Sequence, residues 1–349
     1  MSDTSKAGSR KRIFSGMQPS GEAHLGNYLG ALKRWVEMQE EYDCIWCIVD
    51  DHAITAGGDP KEMPANVFDL AVSYLAVGLD PDRAIIFVQS DVHQHTELAW
   101  LFNAVTPVGD LERMTQYKDK AQRFESVPAG ILNYPILQAA DILLYKAEAV
   151  PVGEDQRQHL ELTRDIARKF NAAYGEVFPE PEAIIGEAGK ILGLDGDAKM
   201  SKSLGNTVGI LAEPDQVWAK VRTAVTDPQR VRRDDPGRPE VCNVYSLHRH
   251  FADAVQLEDI ATQCRAATRG CVDCKRILSE NVATAFAPFR ERAAHFRSNP
   301  QEVRRILDEG AEKARAIAAH TMGEVRQRMG LEWRDALSRD IDVGPVGRA

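Results

Sequence analysis

Two stretches of the sequence combine residue types that could hold a phosphate chain. The first joins Gly16–Gly21 to His24-Leu-Gly-Asn27, directly after an apolar run and at the start of an amphipathic segment. Because a helix N-terminus presents unpaired N–H groups and the positive end of its dipole, it suits the oxygens of a triphosphate. His24 and Asn27 offer donors to phosphate, and Gly26 would let a planar base approach the backbone. Clusters of Gly, Asn and His are also common in turns, so this stretch alone fits both interpretations.

The second stretch is Lys199–Ser203 (KMSKS), within a polar, glycine-rich segment from Gly193 to Gly205. Two lysines three positions apart in a loop could close over a phosphate chain and neutralise the charge that develops in phosphoryl or nucleotidyl transfer. A solvated basic loop is the alternative. Because this stretch follows the first one on a chain of α/β character, the two together favour a nucleotide site.

Four cysteines of the C-terminal half could hold a metal. Between Cys242, Cys264, Cys271 and Cys274 there are 21, 6 and 2 residues, so only one pair is short. Zinc sites usually use two short pairs, and the spacing therefore favours an iron–sulfur cluster over zinc, with four unrelated thiols as the third option. Basic residues that could contact phosphate, or form a solvated face, lie among these cysteines: Arg265, Arg269, Lys275 and Arg276.

Cys44 and Cys47 form a second Cys-x-x-Cys pair, but they lie inside the apolar run Asp43–Val49. In a strand, positions i and i+3 face opposite sides, so the two thiols cannot easily reach one ion. We predict that both are small core residues.

Alternating short apolar runs and helical stretches must position these groups. The predicted strands are Arg12–Gly16, Asp43–Val49 and Ala84–Gln89, and the predicted helices between them are His24–Met38 and Met63–Val77. Repeated strand–helix–strand units predict a doubly wound α/β domain with a parallel sheet. Its ligand crevice is expected at the carboxyl ends of the strands.

The character of the sequence changes near residues 204–212. Strand-like runs disappear, and helices are predicted over Glu280–Phe296 and Gln301–Met329. The predicted division is a disordered tail (1–11), a catalytic domain (12–205), a helical domain (206–300), a C-terminal helix that packs back on the first domain (301–333) and a second tail (334–349).

Composition excludes several classes of protein. The 349 residues, 44% hydrophobic and 27% charged, match an ordinary globular chain of about two domains, not a disordered or fibrous one. No apolar run reaches the ~18 residues of a transmembrane helix, and the polar, basic N-terminus does not resemble a secretory signal, so a cytoplasmic location is expected. The net charge of −9 argues against non-specific nucleic-acid binding. The first 210 residues carry −11 and the rest +2, so a polyanion would meet the C-terminal part.

Taken together, His24–Asn27 and Lys199–Ser203 resemble the two signature motifs of class I aminoacyl-tRNA synthetases. From about Arg12 to Leu331 the chain resembles, more narrowly, the bacterial tryptophanyl-tRNA synthetases. The supporting stretches are Phe14–Ser20, Val49–Thr55, Met114–Lys120, Ala139–Tyr145 and Val152–Gln156. The resemblance implies a Rossmann-like catalytic domain, an α-helical anticodon-binding domain and a homodimer. It also implies a reaction of ATP, carrying Mg²⁺, with tryptophan to give an adenylate, followed by transfer to the 3′ end of tRNA.

The resemblance also implies roles for single residues. Catalysis falls to Lys199, Lys202, Lys120 and Gln18. The residues implied for ATP are Gln18, Pro19, Ser20, His24, Gly26, Asn27, Gly153, Glu154, Asp155, Ile191, Lys199, Met200, Ser201, Lys202 and Ser203. Among them, Asp155 would accept from the ribose hydroxyls and Ile191 would contact adenine through its backbone.

Recognition of tryptophan depends on Asp141 by the same resemblance. Its carboxylate would accept the indole N–H, a group with one donor and no acceptor, although Asp141 could instead cap the helix that runs into Ile142. The other residues implied for tryptophan are Phe14, Gly16, Gln18, His52, Tyr134, Gln138, Val150, Val152 and Gln156.

The chain departs from the common pattern at two places. Gln138 stands where many relatives have Met, which leaves tyrosyl specificity as an alternative. Leu204-Gly205 replaces a common Asp-Pro, which would alter how the loop Lys199–Ser203, called the lysine loop below, closes. Some relatives hold a [4Fe–4S] cluster near the anticodon with four cysteines like those described above, and zinc is the alternative metal. A non-catalytic RNA-binding iron–sulfur protein with the same fold is the other alternative, and the two lysines argue against it.

Overall fold

The computed structural model describes residues 10–332, apart from 56, 58, 123 and 187–190, and the side chain of Lys120 is outside the description. Both predicted tails fall almost entirely outside these residues. Within them, five strands form one parallel sheet in the order β3-β2-β1-β4-β5. The strands are β1 (Arg12–Met17), β2 (Asp43–Ile48), β3 (Ala84–Val88), β4 (Ala149–Val152) and β5 (Glu182–Ile185).

Three strands match the prediction. The strands β2 and β3 are nearly continuous apolar runs, as buried parallel strands require, whereas β1 is buried only at Ile13 and Phe14. The strands β4 and β5 have only four residues each. Pro151 lies inside β4, and β5 begins with the exposed Glu182 at the sheet edge. A short strand with such residues has little local signal, which is why the sequence did not predict β5.

Helices cover the sheet and connect its strands. Those of the first half are α1 (Leu25–Asn27), α2 (Lys33–Met38), α3 (Asp50–Ile54), α4 (Met63–Val77), α5 (Gln94–Phe102), α6 (Val108–Glu112), α7 (Thr115–Ala121), α8 (Ala129–Leu144) and α9 (Arg157–Tyr174). A π-helical segment, Tyr28–Leu32, joins α1 to α2, so the predicted helix His24–Met38 is one rod with a local change of winding. The predicted helix Met63–Val77 has the observed bounds of α4.

The C-terminal part is helical, as predicted. It contains α10 (Pro214–Val221), α11 (Asn243–His248), α12 (Ala254–Arg265), α13 (Cys271–Ala285), α14 (Ala287–Ser298) and α15 (Pro300–Arg328). The prediction of one helix over Glu280–Phe296 was wrong, because α13 ends at Ala285 and a new helix begins at Ala287. Pro288 lies in the first turn of α14, where its missing N–H costs nothing, and the same residue cannot continue an earlier helix.

The sheet separates two apolar clusters, one on each face. Cys44 belongs to the cluster with Trp35 and Trp46, and Cys47 belongs to the opposite cluster with Phe14. Both cysteines are fully buried, which confirms that they are core residues. The long helix α15 returns to the sheet: its residues Ala311, Ala314, Ala318, Met322 and Val325 are buried in the same cluster as Phe14. Within the described part of the chain, no helix is both long and apolar enough to span a bilayer.

Candidate active site

The sheet order locates a crevice. From β1 the chain proceeds to β2 and β3 on one side, and it then crosses to β4 on the other side of β1. In an open α/β sheet, ligands bind outside the carboxyl ends of the strands at such a switch point. A cleft of about 810 Å³ opens there, between the loop that follows β1 and the turn that follows β4.

Most residues that the resemblance implied line this cleft. They are Phe14, Gly16, Gln18, His24, Gly26, Asn27, His52, Tyr134, Gln138, Asp141, Val150, Val152, Gly153, Glu154, Asp155, Gln156, Ile191, Lys199 and Met200. Five predicted residues are not in the wall: Pro19, Ser20, Ser201, Lys202 and Ser203. The side chain of Lys120 is outside the description, so its predicted role has no structural counterpart here.

The histidine and asparagine of the first motif bind each other at the start of α1. His24 is the N-cap: its Nδ1 accepts from the Asn27 N–H at 3.3 Å, and Asn27 Oδ1 accepts from the His24 N–H at 3.0 Å. Burial, followed by the charges of Lys202 and Lys199, lowers the pKa of His24 to about 4. The ring is therefore neutral near pH 7, which leaves the Nδ1 lone pair available for the cap.

The lysine loop is held by backbone and amide contacts. The Met200 N–H donates to the Ile191 carbonyl at 3.3 Å, and the Ser201 N–H donates to Asn206 Oδ1 at 2.8 Å. A short 3₁₀ turn, Lys202–Leu204, ends at Gly205, whose φ of +64° lies in the left-handed region that favours glycine. Gly205 stands where many relatives have proline. Because proline cannot adopt this positive φ, the turn ends here in a conformation that a proline would not allow.

The two lysines reach opposite sides of the cleft mouth. Lys202 Nζ donates to the Ser20 carbonyl oxygen at 2.6 Å, and burial lowers its pKa. Lys199 Nζ lies 3.9 Å from Asp155 Oδ2, and both side chains are more than half exposed. Lys202 therefore joins the lysine loop to the loop after β1, whereas Lys199 faces the turn after β4.

At the other end of the cleft, Asp141 on α8 is buried among hydrogen-bond donors. Its Oδ2 accepts from His52 Nε2 at 2.7 Å, and its Oδ1 accepts from His95 Nδ1 at 2.7 Å and from Gln89 Nε2 at 2.6 Å. Burial by itself would raise the pKa of Asp141, but the charge of His52 and the hydrogen bonds from His52 and His95 outweigh it and lower the pKa to about 2. The carboxyl is charged and accepts only, and it does not serve as a helix cap since it lies in the last turn of α8.

Comparison with known proteins decides what kind of site this is. The family model described as "tRNA synthetases class I (W and Y)" matches residues 6–287. The chain belongs to this family. It is therefore a class I aminoacyl-tRNA synthetase with the Rossmann-like fold that the sequence predicted.

Relatives match this synthetase over almost its whole length. The tryptophan–tRNA ligase of Deinococcus radiodurans is 53% identical over 325 residues, which are 92% of this chain and 98% of that protein. The tryptophan–tRNA ligase of Thermotoga maritima is 46% identical over 92% of this chain and 99% of that one. Among solved structures, the tryptophanyl-tRNA synthetase of Campylobacter jejuni complexed with ADP and tryptophan superimposes with a TM-score of 0.84. It is 38% identical over 91% of this chain and 99% of that chain.

Four polar residues around the synthetase's cleft were not anticipated. Gln89 and His95 bind Asp141, and the Tyr145 hydroxyl lies 2.8 Å from His95 Nε2. Gln116 lines the cleft and was named only as part of a similar stretch. Its Oε1 accepts from the Tyr134 hydroxyl at 3.3 Å, and its Nε2 donates to the Asp155 carbonyl at 3.2 Å. No spacing rule links these partners, although an alignment of relatives could have marked them.

The four C-terminal cysteines of the synthetase lie near one another. Burial, together with the charges of Cys242, Cys264 and Cys271, raises the pKa of Cys274 to about 12, so the other three thiols lie close enough to act on it. Arg230 Nη1 lies 3.8 Å from Cys264 Sγ. Among the residues that the structure describes, no group of three or more Cys, His, Asp or Glu is arranged around a common metal position. The predicted metal site is therefore a cluster of thiols without a closed coordination geometry.

Proposed function

We infer that this synthetase is a tryptophan–tRNA ligase. It activates L-tryptophan with ATP to tryptophanyl-adenylate and pyrophosphate, and it then transfers the tryptophanyl group to the 3′ end of tRNA. One observation carries this function: a single cleft at the switch point brings the buried Asp141 carboxylate together with His24 and Lys199 of the two signature motifs.

The first step joins the two ends of this cleft. A carboxylate oxygen of tryptophan attacks the α-phosphorus of ATP, an O–P bond forms, and the bond to the leaving pyrophosphate breaks. Lys199 and Lys202 at the cleft mouth stabilise the charge on the phosphates, and no covalent bond to the protein forms. The triphosphate brings Mg²⁺ with it, since this ion usually keeps several waters and binds substrate phosphates.

Residue roles at the nucleotide end follow from their positions. Gln18, His24, Gly26 and Asn27 form the wall after β1, and Gly153–Asp155 form the wall after β4. Asp155 would accept from the ribose hydroxyls, and Ile191 would present its backbone to adenine. Ser201, Lys202 and Ser203 lie outside the wall, so they would meet ATP only when the lysine loop moves inward. Pro19 and Ser20 also lie outside the wall, in the loop that follows β1, and would need a movement of that loop.

At the amino-acid end, Asp141 reads the indole N–H. Phe14, Val150 and Val152 would supply apolar walls, and Gln18, Tyr134 and Gln156 would surround the ammonium and carboxylate groups. His52, predicted to contact the same groups, instead donates to Asp141 Oδ2, beside the site of the indole N–H. A pocket built on a buried hydrogen bond rejects ligands without the donor far more strongly than apolar contact does. The Asp141→Asn variant should therefore lose tryptophan-dependent adenylate formation by about tenfold or more, because an amide N–H would face donors in place of an acceptor.

Amino-acid-dependent ATP–pyrophosphate exchange, run with tryptophan, tyrosine and no amino acid, tests the function. Exchange with tryptophan alone is the expected result. Exchange with tyrosine would overturn the specificity and assign Gln138, which lines the cleft, to a phenol hydroxyl. No exchange with either amino acid would favour a non-catalytic RNA-binding protein.

We propose that Cys242, Cys264, Cys271 and Cys274 hold a [4Fe–4S] cluster. The proposal rests on the chemistry of the donor set, which is four thiols whose charges act on one another, and on the charges of Arg230 and Arg269, which would offset thiolate charge. Protein purified without oxygen should contain iron and sulfide in equal amounts and lose both in a Cys264→Ser variant. Colourless protein with one zinc per chain would contradict this proposal.

The helical part from 206 to 300 is proposed to bind the tRNA anticodon, in a cytoplasmic homodimer. Trp100 on α5 is 75% exposed, an unusual position for so large an apolar side chain, and we assign it to the contact with a second copy. A Trp100→Glu variant should sediment as a monomer. As a matched control, Val255→Glu on α12 places a charge at an equally exposed apolar residue, 81% exposed, and should remain dimeric. A dimeric Trp100→Glu variant would contradict the assignment.

A further inference from the structure

The two oxygens of Asp141 are engaged unequally. Oδ1 accepts two hydrogen bonds, from Gln89 Nε2 at 2.6 Å and from His95 Nδ1 at 2.7 Å, whereas Oδ2 accepts one, from His52 Nε2 at 2.7 Å. Each carboxylate oxygen offers about two acceptor sites. Oδ1 is therefore saturated by the protein, and Oδ2 keeps one site for a further donor.

The two donors to Oδ1 are themselves buried. His95 and Gln89 are fully buried, and neither lines the cleft. The Tyr145 hydroxyl lies 2.8 Å from His95 Nε2, so both ring nitrogens of His95 have a partner. Tyr145 is also fully buried, and its ring stacks on Phe14 with centroids 5.5 Å apart and an angle of 8° between the ring planes. A series of two hydrogen bonds, Tyr145–His95 and His95–Asp141, thus connects the apolar core to the carboxylate at the cleft.

We propose that Gln89, His95 and Tyr145 are positioning residues for the recognition of the indole N–H. By saturating Oδ1, they prevent rotation of the carboxylate and present the free site of Oδ2 to the pocket. This inference rests on the proposed role of Asp141 as the acceptor of the indole N–H. None of the three residues touches the substrate, and each acts through Asp141.

A packing role is the competing explanation for His95. Its ring lies 5.9 Å from the ring of Phe87 and 6.4 Å from that of Phe14, measured between centroids. If His95 only filled space, its loss would weaken every ligand of the pocket alike. If it positions Asp141, its loss must weaken ligands with an indole N–H and spare those without one.

A tryptophan analogue with sulfur in place of the indole N–H separates these roles. ATP–pyrophosphate exchange is measured with tryptophan and with this benzothienyl analogue, and the ratio of the two kcat/KM values reports discrimination by the N–H. For His95→Leu we expect this ratio to fall about tenfold, the loss expected when a hydrogen bond to a charged group is weakened. The conservative variant His95→Asn keeps an amide donor near the position of Nδ1 and should restore most of the ratio.

Two further variants complete the test. Tyr145→Phe removes only the hydroxyl behind His95, and the ratio should fall severalfold. Tyr74→Phe is the matched control, since it removes another fully buried hydroxyl, which donates to the Cys47 carbonyl at 3.2 Å and faces the other core cluster. The control should leave the ratio unchanged.

The outcomes separate this inference from the function on which it rests. An equal loss of activity toward tryptophan and the analogue in His95→Leu and Tyr145→Phe would overturn the positioning role. If Asp141→Asn lowers the ratio while the His95 and Tyr145 variants do not, the inference is wrong and the role of Asp141 stands. If Asp141→Asn itself leaves the ratio unchanged, the role of Asp141 in recognition is wrong. If His95→Leu fails to fold, the ratios measured for His95→Asn and Tyr145→Phe still test the positioning role.

Discussion

Lys202 Nζ donates to the carbonyl oxygen of Ser20 at 2.6 Å, although the two residues are 182 positions apart in the chain. This hydrogen bond joins the lysine loop to the loop that follows β1. The lysine is thus held by a neutral acceptor at the mouth of the cleft. Triphosphate oxygens carry charge and would replace that acceptor.

The double variant Lys199→Ala, Lys202→Ala should lose adenylate formation by about a hundredfold or more, because charge on the reacting phosphates would lose its stabilisation. Binding of tRNA should persist, since the proposed anticodon contacts lie in the helical part from 206 to 300 and not in the loop Lys199–Ser203. Pyrophosphate exchange and a gel-shift assay measure the two properties. Lys220→Ala is the control: Lys220 Nζ donates to the Gly205 carbonyl at 3.3 Å, outside the cleft wall, and should be dispensable. Full exchange activity in the double variant would refute the role of the loop.

Two substitutions of Gln116 should affect the KM values for tryptophan and ATP differently. Gln116→Leu removes the donor to the Asp155 carbonyl and one of the two hydrogen-bond partners of the Tyr134 hydroxyl, the other being His159 Nε2 at 2.9 Å. The KM values for ATP and tryptophan should therefore each rise severalfold. Gln116→Glu keeps the acceptor and loses the donor, and only the KM for ATP should rise. Steady-state kinetics with each substrate varied in turn check this. Two unchanged KM values in Gln116→Leu would show that these contacts do not position the site.

The depressed pKa of His24 predicts a loss of stability in acid. The folded pKa is about 4, against 6.5 for the unfolded chain, so the unfolded state binds more protons between these values. The contribution is nearly complete above about pH 6.5, and it falls by about 2 kcal/mol on going to pH 4.5. In His24→Asn the cap acceptor is kept without a titrating group, and the free energy of unfolding should depend less on pH in this range. Urea unfolding between pH 4.5 and 7.5 measures the difference, and parallel pH profiles would contradict it.

Alanine substitutions of two glycines in α15 should change the free energy of unfolding in opposite directions. A β-carbon on Gly310 would lie 1.9 Å from the Ile86 carbonyl oxygen in β3, so Gly310→Ala must push the helix off the sheet. We expect a loss of about 3 kcal/mol in the free energy of unfolding. Gly323 has no atom within 4 Å of the same position, and Gly323→Ala should gain about 0.5–1 kcal/mol from helix propensity. Chemical denaturation compares the pair, and equal stabilities would show that α15 does not pack closely on β3.

Features with a local cause could be predicted from the sequence. The strands β2 and β3 are nearly continuous apolar runs, β1 contains the short apolar pair Ile13-Phe14, and α4 is a long segment that ends just before Gly78, so each was recognised nearly to its observed ends. The opposite orientation of Cys44 and Cys47 also follows from the strand period alone. The break between α13 and α14 could not be recognised, because the helical pattern continues across it and only Pro288 marks the new helix. The short strand β5 could not be recognised, because it depends on pairing with β4.

The sequence by itself determined the type of fold and, by its resemblance to the family, marked the two loops and the carboxylate that we assign to ATP and to tryptophan. What only the tertiary structure decided is how that carboxylate is held. Gln89, His95 and His52 lie 52, 46 and 89 positions from Asp141, and no periodic spacing connects them. They meet because the sheet order sets β2 and β3 beside β1 and because α5 packs on α8. A buried charge needs several donors at once, and only a folded chain brings donors together from such distant positions.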